Sequence, residues 1–336
     1  MHSQSHSLGE FDLIERFFKT DAISNSALNL GIGDDCALLA PLAGEEMAIT
    51  SDMLVEGRHF FAGADPMLLG RKALAVNLSD LAAIGAKPLG FTLAIALPKV
   101  DVEWLDAFSK GLLDLAKVFN CPLIGGDTTA GPLTISITAI GSLPTGKAIR
   151  RSGAMIEDDI WVSGTLGDAR LTLAALRHEL NISTEDLSRI AHRMHQPTPR
   201  VDLGIQLQGI ANAALDVSDG LLGDLKHILK ASQVDAEILL EQLPKSETLK
   251  KQNIEIQNVF AASGGDDYEL CFTAPKDRRD AIMKISQSLN LPLTRIGEIK
   301  TMQSVDAQVH ILNAAGEMLN DLDTAALLKS FDHFAS

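Results

Sequence analysis

Apolar positions recur at helical spacing over 9–19, where Phe11, Ile14 and Phe18 share a face. MAITSDMLVEG (47–57) reads as a strand that runs into a polar end. LLGRKALAVNLSDLAAIGA (68–86) is rich in Ala and Leu with no internal Pro, which predicts a helix stopped by Gly85 and Pro88. LGFTLAIALP (89–98) is a buried strand, and 101–120 is an amphipathic helix with Asp101 as its N-cap. CPLIGGDTT and LTISITAIGSL, within 121–143, give two more strands, the second with clean alternation.

A loop rich in Gly, Pro and basic residues, PTGKAIRRSGA (144–154), marks a domain boundary. The reading divides the chain into 1–148 and 149–336. The second half begins with a strand over 158–164, then helices over 168–180 and 184–194 and a helix entered through Pro over 197–210. Residues 211–233 read strand, Asp-rich turn, helix. VDAEILLEQLP and NVFAASGGDDYELCFTA read as further strands, followed by a helix over 277–289 and the strand TRIGEIK. Two α+β (mixed α/β) domains result, with no low-complexity segment or short repeat.

With 336 residues, the chain is long enough for two cores, and 46% hydrophobic residues exclude a disordered chain. Forty-four acidic residues against 29 basic ones leave a net charge of −15, which argues against non-specific nucleic-acid binding. A phosphorylated ligand would need a local reversal of sign, most simply by divalent cations. No apolar run reaches membrane-spanning length, and the start has no basic segment followed by an apolar one, so neither a membrane span nor a secretory signal is expected. Cys36, Cys121 and Cys271 are odd in number and far apart, which fits a reducing cytoplasm better than a disulfide framework or zinc site.

The chemistry lies in the acids. Asp34, Asp52, Asp80, Asp127, Asp216 and Asp219 each stand at the end of an apolar stretch or at a Gly-rich turn: GIGDD, TSDML, NLSD, GGDTT and DVSDG. Strand and helix ends can aim such carboxylates together, and oxygen-rich open sites suit Mg²⁺. Each motif also has a plain structural reading. In DVSDG, capping of the next helix by Ser218 or Asp219 is favoured. Asp80 is harder to explain that way, because an unpaired carboxylate on a buried helix face is costly. GGDDYE places Asp266, Asp267 and Glu269 within four residues between apolar flanks.

GSLPTGKA (141–148) imitates a phosphate-binding loop but has Ala148 where a metal-binding hydroxyl belongs. His192 and His195 in AHRMH have metal-like spacing without acidic or Cys neighbours, so a surface helix is favoured. GIGDD lacks the third glycine of a dinucleotide-binding turn.

Taken together, GIGDD, TSDMLVEGRHF, NLSDLAAIGAKP, GGDTT, RRSGA, DVSDGL and GGDDYELCFT resemble the thiamine-monophosphate kinase family. That family lies in the aminoimidazole ribonucleotide synthetase-like superfamily. The resemblance implies the two-domain fold of that superfamily, with the N-terminal sheets of a homodimer pairing into a barrel. It implies ATP and thiamine monophosphate as substrates and several Mg²⁺ ions as cofactors. Metal ligands would fall on Asp34, Thr50, Ser51, Asp52, Asp80, Asp127, Asp216 and Asp219, and the catalytic groups on Asp80, Asp127, Arg151 and Asp216. Gly126 and Asp127 would lie against the nucleotide, with Arg151 and Ser218 near its phosphates. His59 would contact the substrate phosphate, although capping of a strand end is its plain alternative. Asp266 and Phe331 would hold the thiamine end, with tail packing as the plain reading of Phe331.

One position departs from the family, which usually has Glu where this chain has Asp266. Contact there could be direct, water-mediated or shifted to Asp267. Two other readings stay open: another ATP-dependent synthetase of the superfamily, or a non-catalytic protein whose carboxylates only bind cations. Selenium chemistry would want a reactive Cys beside a Lys, and the maturation dehydratase a terminal Cys. Cys36 precedes apolar residues and the chain ends FDHFAS.

Overall fold

The computed structural model describes residues 10–19, 27–32, 36–40, 42–320, 324–325 and 327–328. Asp34 and Phe331 lie outside them. The chain divides into two compact units, Met1–Leu81 with Lys87–Thr145, and Ala82–Ala86 with Gly146–Ser336.

The first unit opens with α1 (Glu10–Leu13), which runs into a π-helical turn, Ile14–Phe18, burying Phe17 and Phe18. A small hairpin follows, β1 (Leu28–Leu30) against β2 (Leu38–Leu39). The remaining elements are β3 (Glu45–Val55), α2 (Pro66–Ile84), β4 (Lys87–Leu97), α3 (Val102–Val118), β5 (Leu123–Ala130) and β6 (Thr134–Pro144). The sheet order is β3-β6-β4-β5, so β3 and β5 are its two edges.

Local chemistry sets these limits. Pro66 sits at the first position of α2, where no N–H is needed, and Asp65 Oδ1 accepts from the amides of Met67 and Leu68. Gly85, at φ +80°, ends the helix. Asp101 caps α3 as expected, accepting from Trp104 N at 3.1 Å. Strand alternation buries Ile135, Ile137 and Ala139 of β6 with Phe91, Leu93 and Ile95 of β4, and the buried faces of α2 and α3 supply the second layer. On β3, Met47, Ile49 and Met53 are exposed.

The second unit holds β7 (Asp159–Ser163), α4 (Asp168–Leu176), α5 (Thr184–His195), α6 (Val201–Gln206), β8 (Ala213–Val217), α7 (Leu221–Ser232) and β9 (Val234–Leu239). It continues with α8 (Ile254–Ser263), β10 (Glu269–Ala274), α9 (Arg279–Leu289), β11 (Leu293–Thr301) and β12 (Val309–Leu312). The sheet runs β12-β9-β11-β7-β10-β8, antiparallel except for the β12–β9 pair. Ile160, Val162, Leu215, Val217, Leu225 and Ile228 form part of its core.

Two expectations fail here. NVFAAS is helix, not strand: Asn253 caps α8 through Ile256 N, and Phe260, Ala261 and Ala262 pack inward from successive positions of one helix end. The helix expected over 197–210 shrinks to Val201–Gln206. The phosphate-loop imitation leads out of β6 into a turn with no helix behind it. Among the described residues, no helix is long and apolar enough to cross a membrane.

Candidate active-site carboxylates

In the first unit the structure joins Thr50, Asp52 and Asp80. Edge strand β3 has β6 on one side only, which leaves amides to be satisfied on the other. Helix α2 supplies the partners: Asn77 Oδ1 accepts from Asp52 N at 3.1 Å, and Asp80 Oδ2 accepts the hydroxyl of Thr50. Asn77 is buried, and its amide also donates to Ala73 O at 3.1 Å. Asp80, one helical turn on, is half-buried.

Burial pushes the Asp52 carboxyl up to about 6, and the neighbouring Asp80 charge adds to the rise. Two carboxylates that repel each other, with a hydroxyl between strand and helix, form an oxygen-only donor set suited to a hard divalent cation. Among the described residues, no three His, Cys, Asp or Glu side chains form a complete metal centre.

Other first-unit residues lie apart from this pair. Ser51 turns its hydroxyl to β6, donating to Ile137 O at 3.1 Å beside Thr138 Oγ1. Asp127 is exposed on β5, in register with Ala94, and β5 is the opposite edge of the sheet from β3. Three strand spacings put it about 14 Å across from Asp52. Gly126 is required by shape. At φ +153° a Cβ would stand 1.9 Å from Leu93 O. His59 caps the end of β3, its Nδ1 accepting from Val55 N at 3.0 Å, so the proton of the neutral ring sits on Nε2.

In the second unit, DVSDG leaves edge strand β8 and enters α7. Asp216 is buried at 6% exposure, and Ser218 and Asp219 are half-buried. The capping expected of Ser218 or Asp219 is not what holds this turn. The N-cap position is Gly220, and Asp224 reaches back from the first turn of α7. Its Oδ2 accepts the amides of Ser218, Asp219 and Gly220 at 3.0, 3.0 and 3.1 Å. Burial pushes Asp224 up to about 7 against the pull of these three donors.

GGDDYE lies along the same turn. Asp266 N donates to Ser218 O and Tyr268 N to Val217 O, both at 2.8 Å. Its three acids have three fates. Asp266 is half-buried, with Tyr268 Oη donating to its Oδ1 at 3.1 Å. Asp267 is 1% exposed and accepts from Gly167 N. Glu269 is fully buried among Ser163, Arg193 and Arg200. A shift of ligand contact to Asp267 therefore has no support. The RRSGA loop is pinned by Ser232, whose hydroxyl donates to Arg151 O and accepts from Gly153 N and Ala154 N. The Arg151 side chain is exposed.

Cys36 is exposed, and the other two cysteines are not placed for catalysis. Cys121 and Cys271 are buried, and burial pushes the Cys271 thiol up to about 12. The sequence reading overlooked Asn77, Asp224 and Arg193. Asn77 had a signal in NLSD, three residues before Asp80, and Asp224 in its place one turn into the helix after DVSDG.

The AIR synthase related protein families match the chain, the N-terminal domain over residues 33–143 and the C-terminal domain over 156–310. The thiamine-monophosphate kinase of Salmonella typhimurium is 44% identical over 330 residues, covering 98% of this chain and 99% of that protein. A crystal structure of thiamine-monophosphate kinase from Stenotrophomonas maltophilia K279a is 46% identical, with a TM-score of 0.81 over 88% of this chain and 93% of that one. AaThiL complexed with AMPPCP and TMP is 31% identical, with a TM-score of 0.74 over 99% of both chains.

Proposed function

The chain belongs to the thiamine-monophosphate kinase family of AIR synthase related proteins, and on that premise we propose that it transfers the terminal phosphoryl group of ATP to thiamine monophosphate. The products are ADP and thiamine diphosphate. The observation that carries the reading is the Asp52–Asp80 pair, which helix α2 holds against β3 through Asn77 and through Asp80's bond with Thr50.

The acceptor needs little activation. A phosphate monoester has a second pKa of about 6, so its attacking oxygen is already largely anionic at neutral pH. No general base is required, which agrees with the absence of any role for the buried thiols. What the site must overcome is repulsion between two polyanions in a protein of net charge −15. Thr50, Asp52 and Asp80 would hold one Mg²⁺ in the first unit; Asp34, Ser51 and Asp127 would serve further ions, since Ser51 turns to β6 and Asp127 stands on the opposite edge of the sheet. Asp216 and Asp219 would do so in the second. Bound Mg²⁺ supplies charge neutralisation and orientation of phosphate oxygens. Arg151 and Ser218 bind nucleotide phosphate, and Gly126 with Asp127 lies against the nucleotide. His59 meets the acceptor phosphate, and Asp266 and Phe331 hold the thiamine end. Asp80, Asp127, Arg151 and Asp216 are the groups we assign to catalysis, and transfer is in line with no phosphoenzyme.

We also assign a homodimer, since exposed Met47, Ile49 and Met53 on β3 form an apolar face that a second copy would cover. A cytoplasmic location follows from the substrates and the free thiols. An ADP-release assay with ATP and Mg²⁺, offering thiamine monophosphate, free thiamine or an aminoimidazole precursor, tests the function. Turnover with thiamine monophosphate alone is expected. No turnover with that acceptor, in folded protein, overturns the reading.

A further inference from the structure

Helix α5 carries AHRMH, the stretch that reads as a surface helix with two idle histidines. The structure corrects that reading at Arg193, which is 7% exposed. Its Nη2 lies 2.7 Å from Glu269 Oε1, 3.1 Å from Thr165 O and 3.2 Å from Asp267 O. A buried guanidinium is costly to place unless paired, and Glu269 is already satisfied without it. Arg200 grips Glu269 with Nε at 2.7 Å and Nη2 at 2.5 Å, and Ser163 Oγ adds a third donor at 2.5 Å. What Arg193 adds is the tie to two backbone carbonyls.

One of those carbonyls sits at a strained point. Asp266 and Tyr268, on either side of Asp267, both have left-handed backbone, at φ +69° and +50°. Asp tolerates that conformation, whereas an aromatic residue pays more, so the pair persists only where surroundings over-determine it. Asp267 is held three ways: its carboxylate takes Gly167 N, its carbonyl takes Arg193, and its neighbours' amides bond Ser218 O and Val217 O. The outcome is a fixed placement of the Asp266 carboxylate, steadied by Tyr268 Oη.

We propose that Arg193 is a positioning residue for the acceptor: anchored by Glu269, it fixes through the Asp267 carbonyl the left-handed Asp266–Tyr268 turn that presents the Asp266 carboxylate to the thiamine end of the substrate. This rests on the placement of Asp266 under the proposed function.

Tyr268 is the only tyrosine in the chain, so 3-fluorotyrosine incorporation gives one fluorine resonance that reports this turn directly. Arg193→Lys keeps the charge but not the planar fork. Glu269→Gln keeps the shape but not the charge. In each variant the fluorine line should move or broaden without substrate, and the KM for thiamine monophosphate should rise about tenfold while that for ATP stays within about twofold. Hydrogen exchange on the unsubstituted chain needs no variant: the amides of Asp266 and Tyr268 should exchange as slowly as those of β10. Wild-type fluorine lines and KM values in folded variants, or fast exchange of those two amides, overturn the positioning role. A wild-type line that ignores added thiamine monophosphate overturns the turn's part in acceptor binding. If the unsubstituted chain makes no thiamine diphosphate, the functional reading falls, and the apo fluorine line and exchange still decide whether Arg193 holds the turn.

Discussion

Asp80 on α2 accepts the hydroxyl hydrogen bond of Thr50 on β3, and this contact sets a helix carboxylate beside Asp52. The arrangement is unfavourable by itself, because burial and the Asp80 charge together raise Asp52 to about 6. Asp80→Asn should therefore act in opposite directions on fold and function. In EDTA it should stabilise the chain by about 1 kcal/mol by removing a like charge. In Mg²⁺ it should cost about 10²–10³ in turnover, the scale of losing one preorganised charge-stabilising group. Melting with EDTA or Mg²⁺, beside the ADP-release assay, checks both. A variant that melts lower in EDTA would show that Asp80 is simply structural.

Gly125 and Gly126 look equivalent in GGDTT, yet the fold treats them differently. A Cβ on Gly125 would meet Thr92 Cγ2 at 3.9 Å, an ordinary contact, while one on Gly126 would meet Leu93 O at 1.9 Å. Gly126→Ala should destabilise by about 3 kcal/mol or more, and Gly125→Ala by under about 1 kcal/mol. Urea midpoints of the two variants settle the comparison.

Asp224 closes the turn that carries Asp216, Ser218 and Asp219. Asp224→Ala leaves three amides without their acceptor, at a cost of about 2–4 kcal/mol. Asp224→Asn keeps one acceptor oxygen and should lose less than half of that. Faster hydrogen exchange at 218–220 in the Ala variant, with β10 unchanged, would place the damage in the turn.

The sequence made the Asp80 site legible because one acid in an Ala- and Leu-rich helix has few bland explanations, and TSD at a strand's polar end supplied its partner. Capping at DVSDG was misread because the same need, orphan amides at a helix start, can be met from four residues inside the helix as well as from its first residue. Arg193 was invisible for a different reason. Its partners Thr165 and Glu269 lie 28 and 76 residues away, so only the sheet brings them together. Asp127 shows the reverse: its motif matches the others, but β5 and β3 are opposite edges of one sheet. NVFAAS carries too few alternations to tell strand from helix, and core packing decided it.

Asp159 sets an acid limit on stability. Burial would raise its carboxyl, but Arg279 at 2.5 and 2.7 Å and Arg295 at 3.2 Å hold it below the ordinary 3.8. A carboxyl whose folded value is depressed contributes stability above its unfolded value and loses it as pH falls through the folded one. Both arginines are partly exposed, which limits the contribution to about 1 kcal/mol. Asp159→Asn should be less stable than the parent by that amount at pH 7, and the gap should close below about pH 4. Urea midpoints at pH 7 and pH 3 measure it, and a gap that widens in acid would contradict the assignment.

Asp266 carries the shorter of the two acidic side chains, and the backbone offers a reason. At φ +69° the left-handed region favours short polar side chains that bond locally, and Tyr268 Oη donates to Asp266 Oδ1. A Glu here would pay more in backbone energy and carry its carboxylate one methylene further out. Asp266→Glu should fold, lose under about 1 kcal/mol, and change the KM for thiamine monophosphate by no more than about threefold, since the charge is kept. Asp266→Ala removes the charge and the Tyr268 partner together. Its KM for thiamine monophosphate should rise more than about tenfold with the KM for ATP unchanged, the mark of a group that binds the acceptor alone. Equal rises for both substrates would move Asp266 out of the acceptor site and into the general support of the turn.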